Sequence, residues 1–397
     1  MKRNQTKTNL NLFLLIGLII ANIIGKYAQD NSLNKISVIS AIGIDKNEEG
    51  YIVTMQKYNP AATSKEGAAE LGAYSYSTEG RTIPEAINKI QTKFSYTNFL
   101  DTVEVAVIGE SLVKSEGITS VANYFLRDSI FPSNVRVVIS KGVNPDQLLQ
   151  IILPIEKVSG TRVEQLLSRK RDAWGNLSDI NADKIIGMLN QKRTELTIPY
   201  ITILGDVSKG MSKSNIEKTN PDTVIAIEGF AVFQDQRFSY WLSSKESAVY
   251  ALTRSNIQDT TLVTKCSKQP GYLTWKNMQS KPNIRLLDKK GSPTFLLEIH
   301  IKAKLSDVSC HMDTSTVKAI AKLEHDAEHV IKKQIHHLIA KTQNKQTDIN
   351  GFGETVYRQQ PERWDKVKQQ WDSVYSTVPI KIKVKFDLLE TGEISSQ

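Results

Sequence analysis

Two runs near the C-terminus alternate between apolar and polar residues, with a long amphipathic stretch between them. In TFLLEIHIKAKL, Phe295, Leu297, Ile299, Ile301, Ala303 and Leu305 alternate with Leu296, Glu298, His300, Lys302 and Lys304. In VPIKIKVKFDL, Val378, Ile380, Ile382, Val384, Phe386 and Leu388 alternate with Lys381, Lys383, Lys385 and Asp387. A period of two predicts strands with one buried face, because successive side chains leave opposite sides of the pleat. Strands of that kind point to an antiparallel sheet with helices on its other side. The lysines on the wet face also discourage pairing with the edge of another chain. Between the strands, Val317, Ile320, Ala327, Ile331, Ile335 and Leu338 fall in one stripe at ~100° per residue. That predicts a helix over about residues 317–342, covering the apolar face of the sheet.

The stretch DINGFGETVYRQQPERWDKVKQQW, Asp348 to Trp371, joins this helix to the second strand. It reads as an architectural corner. Gly351 and Gly353 permit the positive φ of a sharp reversal. Phe352 and Val356, four apart, pack inward on a short helix. Pro361 suits the first turn of the next, where a missing N–H costs nothing. Trp364, Val367 and Trp371 then form one apolar stripe at i, i+3 and i+7. Gly351, Phe352, Gly353, Pro361, Trp364 and Trp371 are the residues expected to shape this corner.

Upstream, ISVISAIGI and YIVTMQKYNP read as a hairpin around DKNEEG, and AYSYSTEG as a further strand. TIPEAINKIQTKF reads as a helix capped by Thr82, with Ile83, Ile87, Ile90 and Phe94 on one face. Strands then alternate with helices as far as ELTIPYITILGDV, the signature of a mixed α/β layer. A polar stretch, Asp206–Asp222, marks a boundary. Beyond it come a tight hairpin at QDQ, a helix capped by Ser243 or Ser244, and the strands GYLTWKN and IRLLDKKGS. The expected fold is α+β, or mixed α/β, in three domains, each with a largely antiparallel or mixed sheet packed by helices. The divisions are residues 1–28, a signal or membrane-anchor segment; 29–205, a mixed α/β domain; 206–285, a small α+β domain; and 286–397, the C-terminal α+β domain.

The N-terminus carries a targeting pattern. Lys2, Arg3 and Lys7 precede an apolar run containing Leu12, Phe13, Leu14, Leu15, Ile16, Leu18, Ile19, Ile20, Ile23 and Ile24. The small-residue spacing of a cleavage site is poor, because Lys26 or Ile23 falls in the wrong slot. A retained helix over 10–27 would be about 27 Å long, against a hydrocarbon core of ~30 Å. Cleavage and retention both stay open on these grounds. The net charge is +9, and residues 1–28 supply four of those charges through Lys2, Arg3, Lys7 and Lys26 without an acid. The remaining excess is modest, and no basic tract is interleaved with aromatics, which argues against nucleic-acid binding. Cys266 and Cys310 are the only cysteines. Two cysteines exclude a Cys-rich zinc site and leave pairing undecided.

Candidate chemistry is sparse. His325 and His329 stand four apart on the long helix, and His336 shares their face, as metal ligands would. They lie opposite the Ile331/Leu338 stripe, on the solvated side, where a catalytic metal would lack a dry, supported site. GFGETV matches half of a dinucleotide fingerprint, with Val356 where the third glycine belongs, and follows a helix instead of a strand. No nucleophile, base and orienter fall together. No catalytic residue, cofactor or metal is assigned. The competing readings are an exported metal-dependent hydrolase using His325, His329 and His336, and a free solute-binding protein.

INGFGETVYRQQPERWDKVKQQW, the lysine-striped strand and ETGEI together resemble the C-terminal signature of the Ger(x)C family. These are the C subunits of nutrient germinant receptors in endospore-forming bacteria. SVISAIGIDKNEEGYIVTMQKYNP is similar to that family's first strand pair, and GFAVFQDQRFSYWLSSKESAVYAL to its middle block. The resemblance implies a three-domain, non-enzymatic protein on the extracytoplasmic face of the spore inner membrane. It also implies association with A-type and B-type integral-membrane subunits. One departure concerns lipidation. Lys26 stands where the family's lipobox has its cysteine, and a lysine cannot form the thioether, so no lipid attaches there.

Overall fold

The computed structural model describes residues 36–390 except 64–69, 95–96, 128–130, 192, 267–268, 289–292 and 311–315. The apolar run between Leu12 and Ile24, and Lys26, lie outside the described residues. No helix among the described residues is long and apolar enough to cross a membrane.

The described strands form two sheets, where the sequence suggested three. In the larger sheet, β1 (Ile36–Lys46), β2 (Tyr51–Tyr58) and β3 (Ala73–Gly80) form an antiparallel meander. On its other side β1 pairs in parallel with β5 (Val105–Gly109), and β4 (Thr97–Phe99) also lies parallel to β1. β6 (Arg136–Ser140) and β7 (Thr197–Gly205) extend the parallel run. β8 (Thr223–Gln234) pairs antiparallel with β7, and β9 (Arg237–Leu242) antiparallel with β8, which completes the sheet. The parallel pairs follow from the helices between them, because a parallel return needs a crossover.

Both faces of this sheet are buried. Ala106 and Ile108 of β5 face one core, with α1 (Ile83–Gln91), α2 (Glu110–Glu116) and α3 (Thr119–Arg127). Thr82 caps α1 by accepting from the Glu85 N–H, and Ile83, Ala86, Ile87 and Ile90 are buried. Val105 and Val107 face the other core, with Val163, Leu167 and Trp174 of α4 (Ser159–Trp174). α5 (Ala182–Gln191) leads towards β7, and α6 (Ser244–Arg254) follows β9. Ser243 and Glu246 form a capping box at the start of α6.

The second sheet runs β10 (Leu262–Lys265), β11 (Tyr272–Leu286), β12 (Phe295–Val308), β13 (Ile380–Glu390). GYLTWKN and the start of IRLLDKKGS prove to be parts of one strand, β11, whose register shifts near Asn277. The residues set apart as a middle unit are divided: β8 and β9 continue the larger sheet, and β10 and β11 join the smaller. Alternation decides which face a strand buries but not which neighbour it takes.

The two C-terminal strands pair in parallel, from Phe295 opposite Ile380 to Ala303 opposite Leu388, and not antiparallel as expected. The intervening helix α7 (Val317–Asn344) is the reason. It carries the chain back along the sheet, so that β13 starts at the same end as β12. Leu323, Ala327, Ile331, Ile335 and Leu338 of α7 are buried, whereas Val317 in its first turn is exposed. Glu324 and Glu328 of α7 accept the Leu388 and Phe386 N–H groups of β13 at 2.8 and 3.0 Å, which satisfies an edge that would otherwise be open. Cys266 and Cys310, just beyond β10 and β12, are joined in a disulfide.

Candidate functional site

The stretch from Asp348 to Thr377 folds into three short helices: α8 (Phe352–Gln359), α9 (Pro361–Val367) and α10 (Trp371–Thr377). Gly351 holds φ at +80°, the left-handed region in which a side chain is strained. Gly353 is needed for a different reason from the one expected. It is helical, but a Cβ there would stand 2.7 Å from the Arg193 carbonyl oxygen and 2.8 Å from Trp371 Nε1. Pro361 occupies the first turn of α9. Trp364 and Trp371 do not share one helix. A 3₁₀ turn, Lys368–Gln370, separates α9 from α10 and re-aims Trp371. Phe352 is fully buried, with ring centroids 5.0 Å from Phe295 and 5.8 Å from Tyr375.

The keystone is Asp348, which the sequence reading assigned no role. Its side chain, 1% exposed, accepts from the Gly351, Phe352 and Gly353 N–H groups at 2.8, 3.0 and 2.7 Å, and from Trp371 Nε1 at 3.1 Å. These are N–H groups that the start of α8 would leave unpaired. Burial pushes the Asp348 carboxyl above the ordinary range, against the pull of those four donors. The corner is also tied to the larger sheet. Glu195 donates its N–H to the Asp348 carbonyl at 2.9 Å, and Tyr250 of α6 donates its hydroxyl to the Ile349 carbonyl at 3.3 Å. The signal that would have found Asp348 is its position, four residues before a helix that opens on a glycine.

Beside the corner lies a cleft of about 720 Å³, lined by Glu195, Asp235, Gln236, Gln346, Trp371 and Asp372 among others. Asp235 and Gln236 form the β8–β9 turn with φ of 46° and 72°, and Gln346 has φ of 56°. These are the positive φ values usual for a two-residue hairpin turn and for the residue that closes a helix C-terminus. Gln234 Nε2 donates to Asp372 Oδ2 at 3.2 Å, which links the turn to α10. Glu195 is pushed up to about 8, first by burial and then by the negative charges of Asp372, Asp235 and Asp348. Titratable groups shifted this far in a cleft mark a candidate site.

The histidines go elsewhere. His325, His329 and His336 stand on the exposed face of α7, and the His325 side chain is 80% exposed. No group of three or more His, Cys, Asp or Glu residues placed to hold a metal occurs among the described residues.

Residues 29–203 match the family described as "Spore germination protein N-terminal domain", and residues 228–392 match "Spore germination B3/GerAC like, C-terminal". Spore germination protein KC of Bacillus subtilis (strain 168) is 28% identical over 368 residues, covering 91% of this chain and 90% of that protein. Spore germination protein B3 of the same organism is 22% identical over 380 residues, covering 91% and 93%. The crystal structure of the GerBC protein superposes with a TM-score of 0.56 at 17% identity, covering 88% of this chain and 96% of that one. That likeness shows a shared fold.

Proposed function

The chain belongs to the Ger(x)C family of spore germination proteins, and from that premise we propose that it is a non-catalytic C-type subunit of a nutrient germinant receptor. In this reading it sits on the extracytoplasmic face of the spore inner membrane and acts through contacts with A-type and B-type integral-membrane subunits. The observation that carries the reading is the match of two consecutive germination families, in order, across residues 29–203 and 228–392.

Two features support it. The Cys266–Cys310 disulfide suits an oxidising compartment outside the cytoplasm. In the tail, the groups that resembled a ligand loop are occupied internally: Asp348 binds the Gly351–Gly353 backbone, and Phe352 fills the core. With Lys26 in the lipobox position, the apolar run from Leu12 to Ile24 or contact with the partner subunits takes over the role of a lipid anchor. Deletion of the gene is expected to slow germination in particular nutrients while sporulation stays normal. Unchanged germination in every nutrient that the host responds to would overturn the reading.

A further inference from the structure

We propose that the open face of the second sheet is a docking surface for an anionic lipid headgroup layer. The proposal rests on the reading that the protein works at a membrane surface, and it names which face meets that surface. α7 lies along the inner side of the sheet, so the outward residues of β11, β12 and β13 stay uncovered. Arg285 and Lys383 share Glu298, Lys385 pairs with Asp387, and Lys304 pairs with Glu390. Lys276, Lys281, Lys302 and Lys381 have no acidic partner within salt-bridge distance among the described residues, and all four are exposed.

Register bears on one pair: Lys276 lies directly opposite Lys304, whereas Lys302 lies opposite Asp387, which also bonds His300. Like charges set side by side across strands cost stability. A negatively charged surface laid against the face would relieve that cost.

The chemistry favours lipid over a protein partner. Lysine is a mobile point charge suited to a diffuse layer of headgroups, whereas arginine's fork suits fixed carboxylates. Protein interfaces are anchored by aromatic and arginine hot spots in pockets. This face offers Thr274, Gln279 and Asn283 between its lysines; among the described residues its one arginine, Arg285, is engaged by Glu298, its aromatic Tyr272 stands exposed at the end of the strand outside any pocket, and Trp275 points into the core. From Lys276 to Arg285 the strand spans roughly 30 Å at ~3.3 Å per residue, so many headgroups would meet the face at once.

The test uses the full chain reconstituted into vesicles of phosphatidylcholine alone, or with phosphatidylglycerol, and maps lysine acylation by mass spectrometry. That readout reports the face even if the apolar N-terminal run inserts in both. Lys276, Lys281, Lys302 and Lys381 are expected to label about tenfold more slowly on the anionic vesicles, with the protection lost at high salt. Lys318, Lys322 and Lys332 on α7 should label alike in both. In the variant with all four face lysines changed to Gln, the remaining face lysines Lys304, Lys383 and Lys385 should lose their protection on anionic vesicles and label alike in both. A control with Lys318, Lys322, Lys332 and Lys333 changed to Gln, of equal net charge, should keep the parent's protection. Equal labelling in both vesicles, or equal loss in both variants, would overturn the proposal. Protection that arises only when integral-membrane proteins are co-reconstituted would also overturn it and assign the face to an acidic protein. The germination phenotype of the deletion is read separately, so either proposal can fail while the other stands.

Discussion

Asp348 gathers three successive backbone N–H groups and one indole N–H around a carboxylate with almost no exposure. Changing it to Asn keeps the shape but replaces one acceptor oxygen with a donor, which leaves buried N–H groups facing an NH₂. The expected cost is about 3 kcal/mol in urea unfolding, with a loss below about 1 kcal/mol contradicting the keystone role. Glu195 makes a different prediction. Its folded pKa, about 8, stands above its ordinary 4.5. The folded state therefore holds the proton more tightly, and the stability this contributes is complete below the ordinary value and lost as pH rises through about 8. The melting temperature should fall between pH 5 and 8.5, and Glu195→Gln should flatten that fall. An unchanged slope in the variant would remove Glu195 as its source. Of these residues, the glycines were legible in the sequence but the reason for Gly353 was not. Its neighbour, the Arg193 carbonyl, lies far upstream, and no local pattern reports such an approach.

At the level of elements, the strands and the long helix were legible because period two and period 3.6 are written in the side chains themselves. The direction of β13 was not, because an alternating strand reads the same whichever way its neighbour runs. Nor was the break between Trp364 and Trp371, since a 3₁₀ turn keeps the spacing of the apolar residues while changing where they aim. The disulfide could not be read either. Here it links the ends of β10 and β12, which flank β11, across a separation of 44 residues. Removing it with Cys266→Ser and Cys310→Ser should cost about 2–4 kcal/mol, mainly by freeing the unfolded chain. Hydrogen exchange should also rise first in β10, the short edge strand. Identical stability before and after reduction would show that the crosslink is dispensable.

Over the whole molecule, composition and patterning were enough for the α+β class, whereas the apportioning of strands between sheets was decided by packing. One hydrophobic cluster runs from Ala41 on β1 through Trp174 and Tyr250 to Phe386 on β13, so the two sheets share buried surface. The corner at Asp348 sits on that shared surface, hydrogen-bonded to the segment entering β7 and to α6. The parallel pairing of β12 with β13 has a consequence for how the molecule is made. A chain emerging N-terminus first exposes the row Phe295, Leu297, Ile299 and Ile301 long before Ile382, Val384 and Phe386 exist to flank it. During that interval the nascent protein carries a sticky, half-finished margin, the kind of intermediate from which aggregation competes with folding. Its synthesis should therefore lean on holdase chaperones until the last strand has slotted home.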